Sequence, residues 1–244
     1  MKAIERAAYW TGGLLMLSGI IHLAILVTSG GTWEGPLSLR KPATFGLSFG
    51  LTLVNVTLIA SFVPLKNRSR TLLLGLFTAA SVLETFLVSL QTWRGVPSHF
   101  NVETPFEAAI AQTLALGGFT LVAIIIVLTV AVFRHGSALP PPLGLAIRAG
   151  FVALVGAQVA GGVMIAAGMR LVFAGDPHGA YSMGGWLKPV HAVLMHGILV
   201  LPLLAWLMAR SNWDERSQMR GMHTAIAVYA LVVTVTLMTA FDAA

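Results

Sequence analysis

Residues 105–133 read PFEAAIAQTLALGGFTLVAIIIVLTVAVF. Beyond Gln112 this run contains no charged or amide side chain. A helix crosses the roughly 30 Å hydrocarbon core of a bilayer with about 20 apolar residues, so the run is long enough to span and too apolar for the surface of a water-soluble fold. Its start is written locally: Thr104 stands as N-cap, Pro105 as the first helical residue and Glu107 as a capping-box acid.

Working outward, similar runs lie near 7–28, 43–63, 71–93, 148–170, 188–209 and 220–241. The pattern predicts an all-α, polytopic membrane bundle of about seven transmembrane helices, forming a single transmembrane domain over 1–244. Trp10 and His22, with no small-residue cleavage site, mark the first run as a helix rather than a cleaved leader. Lys41-Pro42 and Lys188-Pro189 open the second and sixth spans, Pro140-Pro141-Pro142 makes a stiff turn before the fifth, and Asp214 caps a lead into the seventh.

Composition agrees, since 57% of the residues are hydrophobic and 10% charged. There is no cysteine, which removes disulfides, thiolate metal sites and thiol nucleophiles and leaves nitrogen and oxygen for any metal. The net charge of +6 does not indicate a nucleic-acid partner, because the 15 Lys and Arg are scattered over the connections between spans. Counted by side, ten of them (Lys2, Arg6, Lys66, Arg68, Arg70, Arg134, Arg148, Arg210, Arg216, Arg220) oppose five (Arg40, Lys41, Arg94, Arg170, Lys188). That bias predicts the N-terminus in the cytoplasm and the C-terminus outside. The six tryptophans fall at or near predicted helix ends, as interfacial anchors do.

Against this background, polar residues inside spans are the informative ones. With a rise of about 1.5 Å per residue, His22 falls about 9 Å below the outer boundary, Glu84 and His196 about 12 Å and Gln112 about 10 Å. Above them come His191, Gln91, Arg94, Lys41 and Lys188, while the outer loops add His99 and Asn101. Glu84 weighs most, because a carboxylate within a span must face protein, hold a proton or pair with a cation. Gln91 lies seven residues on, along the same helix face, and Arg94 continues it. His191 and His196 are five apart, which points them about 140° from each other on one helix. The stripe Thr44, Ser48, Thr52 and Asn55, with Gly46 and Gly50, reads as interhelical packing.

The segment Glu84…Gln91-Thr-Trp-Arg94-Gly95-Val-Pro-Ser98-His99-Phe100-Asn101, with Arg40-Lys41-Pro42-Ala-Thr-Phe45-Gly46-Leu47-Ser48 and Lys188-Pro-Val-His191…His196…Leu201-Pro202-Leu203, resembles a group of uncharacterised bacterial multi-pass membrane proteins. They share E…Q-x-x-R-G-x-x-S-H-F-N and two later histidines five apart. Leu199 stands where that group has a glutamine, and the run Gly175–Gly185 departs from its Gly-Pro-rich loop. The resemblance implies a bacterial cytoplasmic (inner) membrane and no particular activity.

The leading expectation is a membrane metalloenzyme or oxidoreductase with its site facing outward. Glu84, Arg94 and His99 are its candidate catalytic residues, and Glu84, His99, His191 and His196 its candidate ligands for Zn, Fe, Cu or Mn. Lys41, Gln91, Asn101, Gln112 and Lys188 would receive a small anionic or carbonyl-bearing substrate or a quinone. The same carboxylate and imidazoles also make an acid–base set without metal. A b-type haem protein in quinol electron transfer is the alternative, with axial ligands among His22, His191 and His196 and His22 with His196 the preferred pair. A transporter, or a sensor without catalysis, stands third. No lysine sits in the last span to hold retinal, no H-x-x-x-H pair occurs on the sixth, and no Gly-rich phosphate loop is present.

Overall fold

The structure, a computed structural model, describes residues 1–134, 139–183 and 185–242. Residues 135–138 of the fourth connection and Gly184 of the fifth lie outside them. The described chain is all-helical: α1 (Ala3–Ser29), α2 (Arg40–Phe62), α3 (Asn67–Trp93), α4 (Pro105–Arg134), α5 (Pro141–Phe173), α6 (Pro177–Met183), α7 (Lys188–Ala209) and α8 (Glu215–Asp242). All but α6 are long and apolar enough to cross a membrane. Leu116, Phe119, Val159, Leu231 and Met238 stand with most of their surface uncovered, an arrangement that lipid tolerates and water does not.

Helix ends follow their local chemistry. Thr104 caps α4, its hydroxyl accepting the Glu107 N–H at 3.2 Å. Asp214 caps α8 through the Ser217 N–H at 3.0 Å, which starts that helix at Glu215 rather than 220. Pro141 and Pro142 fit the first turn of α5, where an N–H has no helical partner to lose, so α5 begins seven residues before the expected 148. The short α6 arises where the sequence reads as loop: Asp176 Oδ1 accepts the Gly179 N–H at 2.8 Å and closes one turn. Seven residues are too few to show a period.

The chain gathers into two compact units. The first holds 1–58, 65–124 and 167–183, and so takes α1, α3, α6 and most of α2 and α4. Here α1 and α2 touch backbone to backbone: a Cβ on Gly50 would come 2.5 Å from Gly12 O, and one on Gly46 2.7 Å from Gly19 N. Without a hydrophobic drive between helices in lipid, such close approach supplies the attraction. α3 packs on α1 and buries a stripe running Arg70, Leu74, Phe77, Ser81, Glu84, Val88 and Gln91. Val88 then packs with Ile110 and Leu114 of α4.

The second unit holds 59–64, 125–166 and 184–244, with α7 and α8 and most of α5. Its core groups Ala146, Leu201, Ala205 and Met222. Gly197 of α7 meets Ala153 of α5 so closely that a Cβ would lie 2.6 Å from the alanine methyl. The Tyr229 hydroxyl donates to Val193 O and ties α8 to α7.

Candidate functional site

The connection between α3 and α4 in the first unit carries most of the chemistry. α3 ends at Trp93, and Gly95 turns the chain at φ 69°. Phe100 is the one non-glycine residue at positive φ, 64°, among the described residues, a conformation that persists only where the surroundings enforce it. Its ring occupies the place where Gly168 lacks a side chain, since a Cβ there would lie 2.4 Å from the ring. That contact fixes the loop against the end of α5.

The Arg94 guanidinium organises the turn. One arm donates to Gln91 Oε1 at 2.5 Å and the other pairs with Glu107 at 2.8 Å, while its plane lies 4.7 Å from the centre of the Phe106 ring. Glu107 was expected to close a capping box; the guanidinium takes its carboxylate instead. Because arginine offers only donors, it fixes which end of the Gln91 amide faces it. The leftover end, Nε2, is buried without a partner. Asn101 repeats the pattern: its Oδ1 accepts the Glu103 N–H at 3.1 Å, and its buried Nδ2 has no partner. Both residues are fully buried. The Tyr181 hydroxyl of α6 is a third buried group without a partner, and burial followed by the nearby Glu103 carboxylate raises its pKa.

His99 lies in the same loop. Its Nδ1 shares a proton with the buried Ser98 hydroxyl at 3.0 Å, and its ring meets Phe45 edge-on with centroids 5.9 Å apart. Burial first and the Lys41 ammonium second push its pKa down from 6.5 to about 3. The imidazole is therefore neutral at physiological pH and only weakly basic. Lys41, Gln91, Arg94, His99 and Asn101 thus belong to one unit.

Deeper in the same unit the expected layer divides. His22 is saturated: Nδ1 bonds Ser18 O at 2.8 Å, and Nε2 accepts the Trp93 indole N–H at 2.9 Å. Glu84 lies instead against the Gly117–Gly118 backbone of α4, with Oε1 buried and unpartnered. Gln112 is exposed. In the second unit, His191 Nδ1 bonds Ala157 O at 2.7 Å and His196 Nδ1 bonds Ala192 O at 2.6 Å; His196 and Lys188 are exposed. Among the described residues no three His, Asp or Glu side chains gather as a metal would require.

No protein-family model, curated protein or solved structure matches the chain. Its residues must therefore carry the functional argument alone.

The sequence reading missed Tyr181, placed by an unforeseen helix, and Glu107, read only as a cap. It also missed the buried pair Glu5–Arg70, 3.5 Å apart at the opposite end of α3 from Arg94. Arg70 follows two exposed basic residues and counts as one more loop charge; only the stripe 70, 77, 84, 91 marks it as inward-facing.

Proposed function

We propose that the first unit is a membrane enzyme site that binds a small molecule bearing a carboxylate or carbonyl and exchanges protons with it. The carrying observation is the pair of buried amide N–H₂ groups on Gln91 and Asn101, whose oxygens are already held by donors. Buried donors without acceptors are rare and mark a missing water or ligand. Since only donors are left over, the missing group supplies acceptors. Lys41, whose ammonium acts on His99, adds positive potential, which favours an anion or the oxygen of a polarised carbonyl; the Arg94 charge is balanced by Glu107. An anion bound beside the imidazole would lift its depressed pKa, so in this reading His99 accepts a proton only in the bound state, while the Tyr181 hydroxyl donates a hydrogen bond.

An acceptor for a donor is the decisive exchange. Asn101→Asp keeps the oxygen that holds Glu103, and Gln91→Glu keeps the one that holds Arg94, while each turns the spare donor into an acceptor. Thermal unfolding of the detergent-purified protein is followed with millimolar acetate, succinate, benzoate or a short-chain benzoquinone. At a hundredfold excess over Kd a ligand adds about 2.7 kcal/mol to stability. The expected result is a rise in Tm for the wild type with at least one probe, abolished in both variants. No rise with any probe, or a rise that both variants keep, overturns the reading.

A second reading has one observation behind it. His191 and His196 each engage a backbone carbonyl through Nδ1 and leave Nε2 for a metal or haem iron, the arrangement typical of ligating histidines. His22 does not share it, because Nε2 already accepts from Trp93. A Soret band or a stoichiometric metal in the purified protein, lost in His191→Ala, supports this reading; a protein free of both rejects it.

We also place the 94–104 loop on the outer side of a bacterial inner membrane, on the charge count and the resemblance. A C-terminal reporter that proves cytoplasmic reverses the orientation.

A further inference from the structure

Gln112 has no part in the loop site, and its depth singles it out. Val88 of α3 packs against Ile110 and Leu114 of α4, so Gln112, between those two in sequence, stands at the level of Val88. Trp93 closes α3 five residues further on. A tryptophan at a helix end marks the edge of the hydrocarbon, and five residues of rise set Gln112 about 7 Å inside it. At that depth its side chain is exposed, on a helix long and apolar enough to cross a membrane.

Its polar neighbours satisfy themselves within the helix. The Thr113 hydroxyl donates to Ala109 O at 2.7 Å and the Thr120 hydroxyl to Leu116 O at 2.8 Å, so neither needs a partner from outside. The Gln112 amide makes no hydrogen bond among the described residues. Lipid tails offer it neither donor nor acceptor, and an unpaired amide in hydrocarbon is costly.

The face around Gln112 has the spacing of a helix seam. Ala109, Gln112, Leu116, Phe119 and Ala123 are all exposed and follow one another at steps of three, four, three and four, the alternation by which two helices interlock. A single amide in such a seam fixes register and the number of chains. Membrane insertion decides the occupant. Two copies of one chain insert with the same orientation, so a two-fold axis along the membrane normal sets α4 against α4 in parallel and brings each seam residue opposite its own counterpart. A carboxamide carries donor and acceptor together and complements itself, which a carboxylate or an ammonium does not.

We propose that the 109–123 face of α4 is a homodimer interface within the membrane, in which the Gln112 amides of two copies exchange hydrogen bonds across the axis. The inference uses none of Gln91, Asn101 or His99 and is independent of the ligand reading.

The chain has no cysteine, so a single introduced cysteine reports on one position. Leu116→Cys and Phe119→Cys, 68% and 71% exposed, are compared with Phe86→Cys, Val159→Cys and Leu231→Cys, which are 60–64% exposed on other helices. Each is oxidised with copper phenanthroline in native membranes before solubilisation. Disulfide-linked dimers at Leu116→Cys or Phe119→Cys are expected at least threefold above every control, and adding Gln112→Leu should cut them at least threefold, whereas Gln112→Asn retains more of them than Gln112→Leu. Energy transfer between copies labelled at the exposed Asn212→Cys, in vesicles diluted with lipid, should shift its midpoint by at least threefold in Gln112→Leu, with helicity showing that the variant is folded. Seam crosslinks no higher than the controls, or a dimer indifferent to Gln112→Leu in both assays, overturns the interface. Native mass spectrometry that shows a different polypeptide or a lipid, rather than a second copy, lost from Gln112→Leu overturns the choice of occupant.

Discussion

Removing the Arg94 guanidinium should cost more than removing the charge it holds. Arg94→Met leaves the Glu107 carboxylate, 7% exposed, without its cation, and strips the donor from the fully buried Gln91 Oε1. Taking one partner from a fully buried pair costs about 3–5 kcal/mol, whereas an exposed pair contributes about 0–1 kcal/mol. The Arg94 side chain is 38% exposed, so water screens the pair and the expected loss falls between, at about 2 kcal/mol. Glu107→Gln leaves a guanidinium that retains water, Gln91 and the Phe106 face, and should cost about 1 kcal/mol. The double variant should be milder than the sum by about 1 kcal/mol, because the stranded carboxylate is gone. Reversible unfolding in mixed dodecylmaltoside and dodecylsulfate micelles, followed by helicity, measures all three. Two results would refute the argument: Glu107→Gln costing more than Arg94→Met, or losses that add within about 0.5 kcal/mol.

His99 makes the protein sensitive to acid. The unfolded imidazole takes a proton near 6.5 and the folded one only near 3, so between those values the unfolded state binds more protons. Stability is therefore complete above 6.5 and declines as pH falls, by at most about 1.4 kcal/mol per pH unit. His99→Gln should flatten the decline between pH 6.5 and 5 in the same unfolding assay, and a wild-type slope in that variant rejects the assignment. Trp93→Phe removes the donor to His22 Nε2 and should cost about 1–2 kcal/mol, while a loss indistinguishable from zero would mean that water replaces the indole.

Hydropathy made the spans legible because lipid demands uninterrupted apolar length. All seven long helices lie where apolar runs predict them, and ends with an explicit cap, Thr104 before α4 and Asp214 before α8, are also visible in the residues. Depth was readable, but direction was not. His22, Glu84 and Gln112 share a predicted level, yet one is tied to Trp93, one lies on the Gly117–Gly118 backbone and one is exposed. A rise per residue gives height along an axis, whereas the facing of a side chain depends on which neighbour packs there. The stripe along α3 was the exception, because seven-residue spacing keeps Glu84 and Gln91 on one face whatever the neighbours.

The two buried amides near the loop present the same chemical sign. Gln91 Nε2 and Asn101 Nδ2 are donors that their own hydrogen bonds prevent from flipping. A ligand rich in acceptors complements both, whereas a cation would meet two N–H₂ groups and the Arg94 guanidinium beside them. On the helix rise of about 1.5 Å per residue, Glu84 and Gln91 are separated by about 10 Å along α3, so a small molecule held at the Gln91 amide does not reach the Glu84 carboxyl. Substitutions at Glu84 and at Gln91 should therefore change ligand binding independently, their effects adding within about 0.5 kcal/mol.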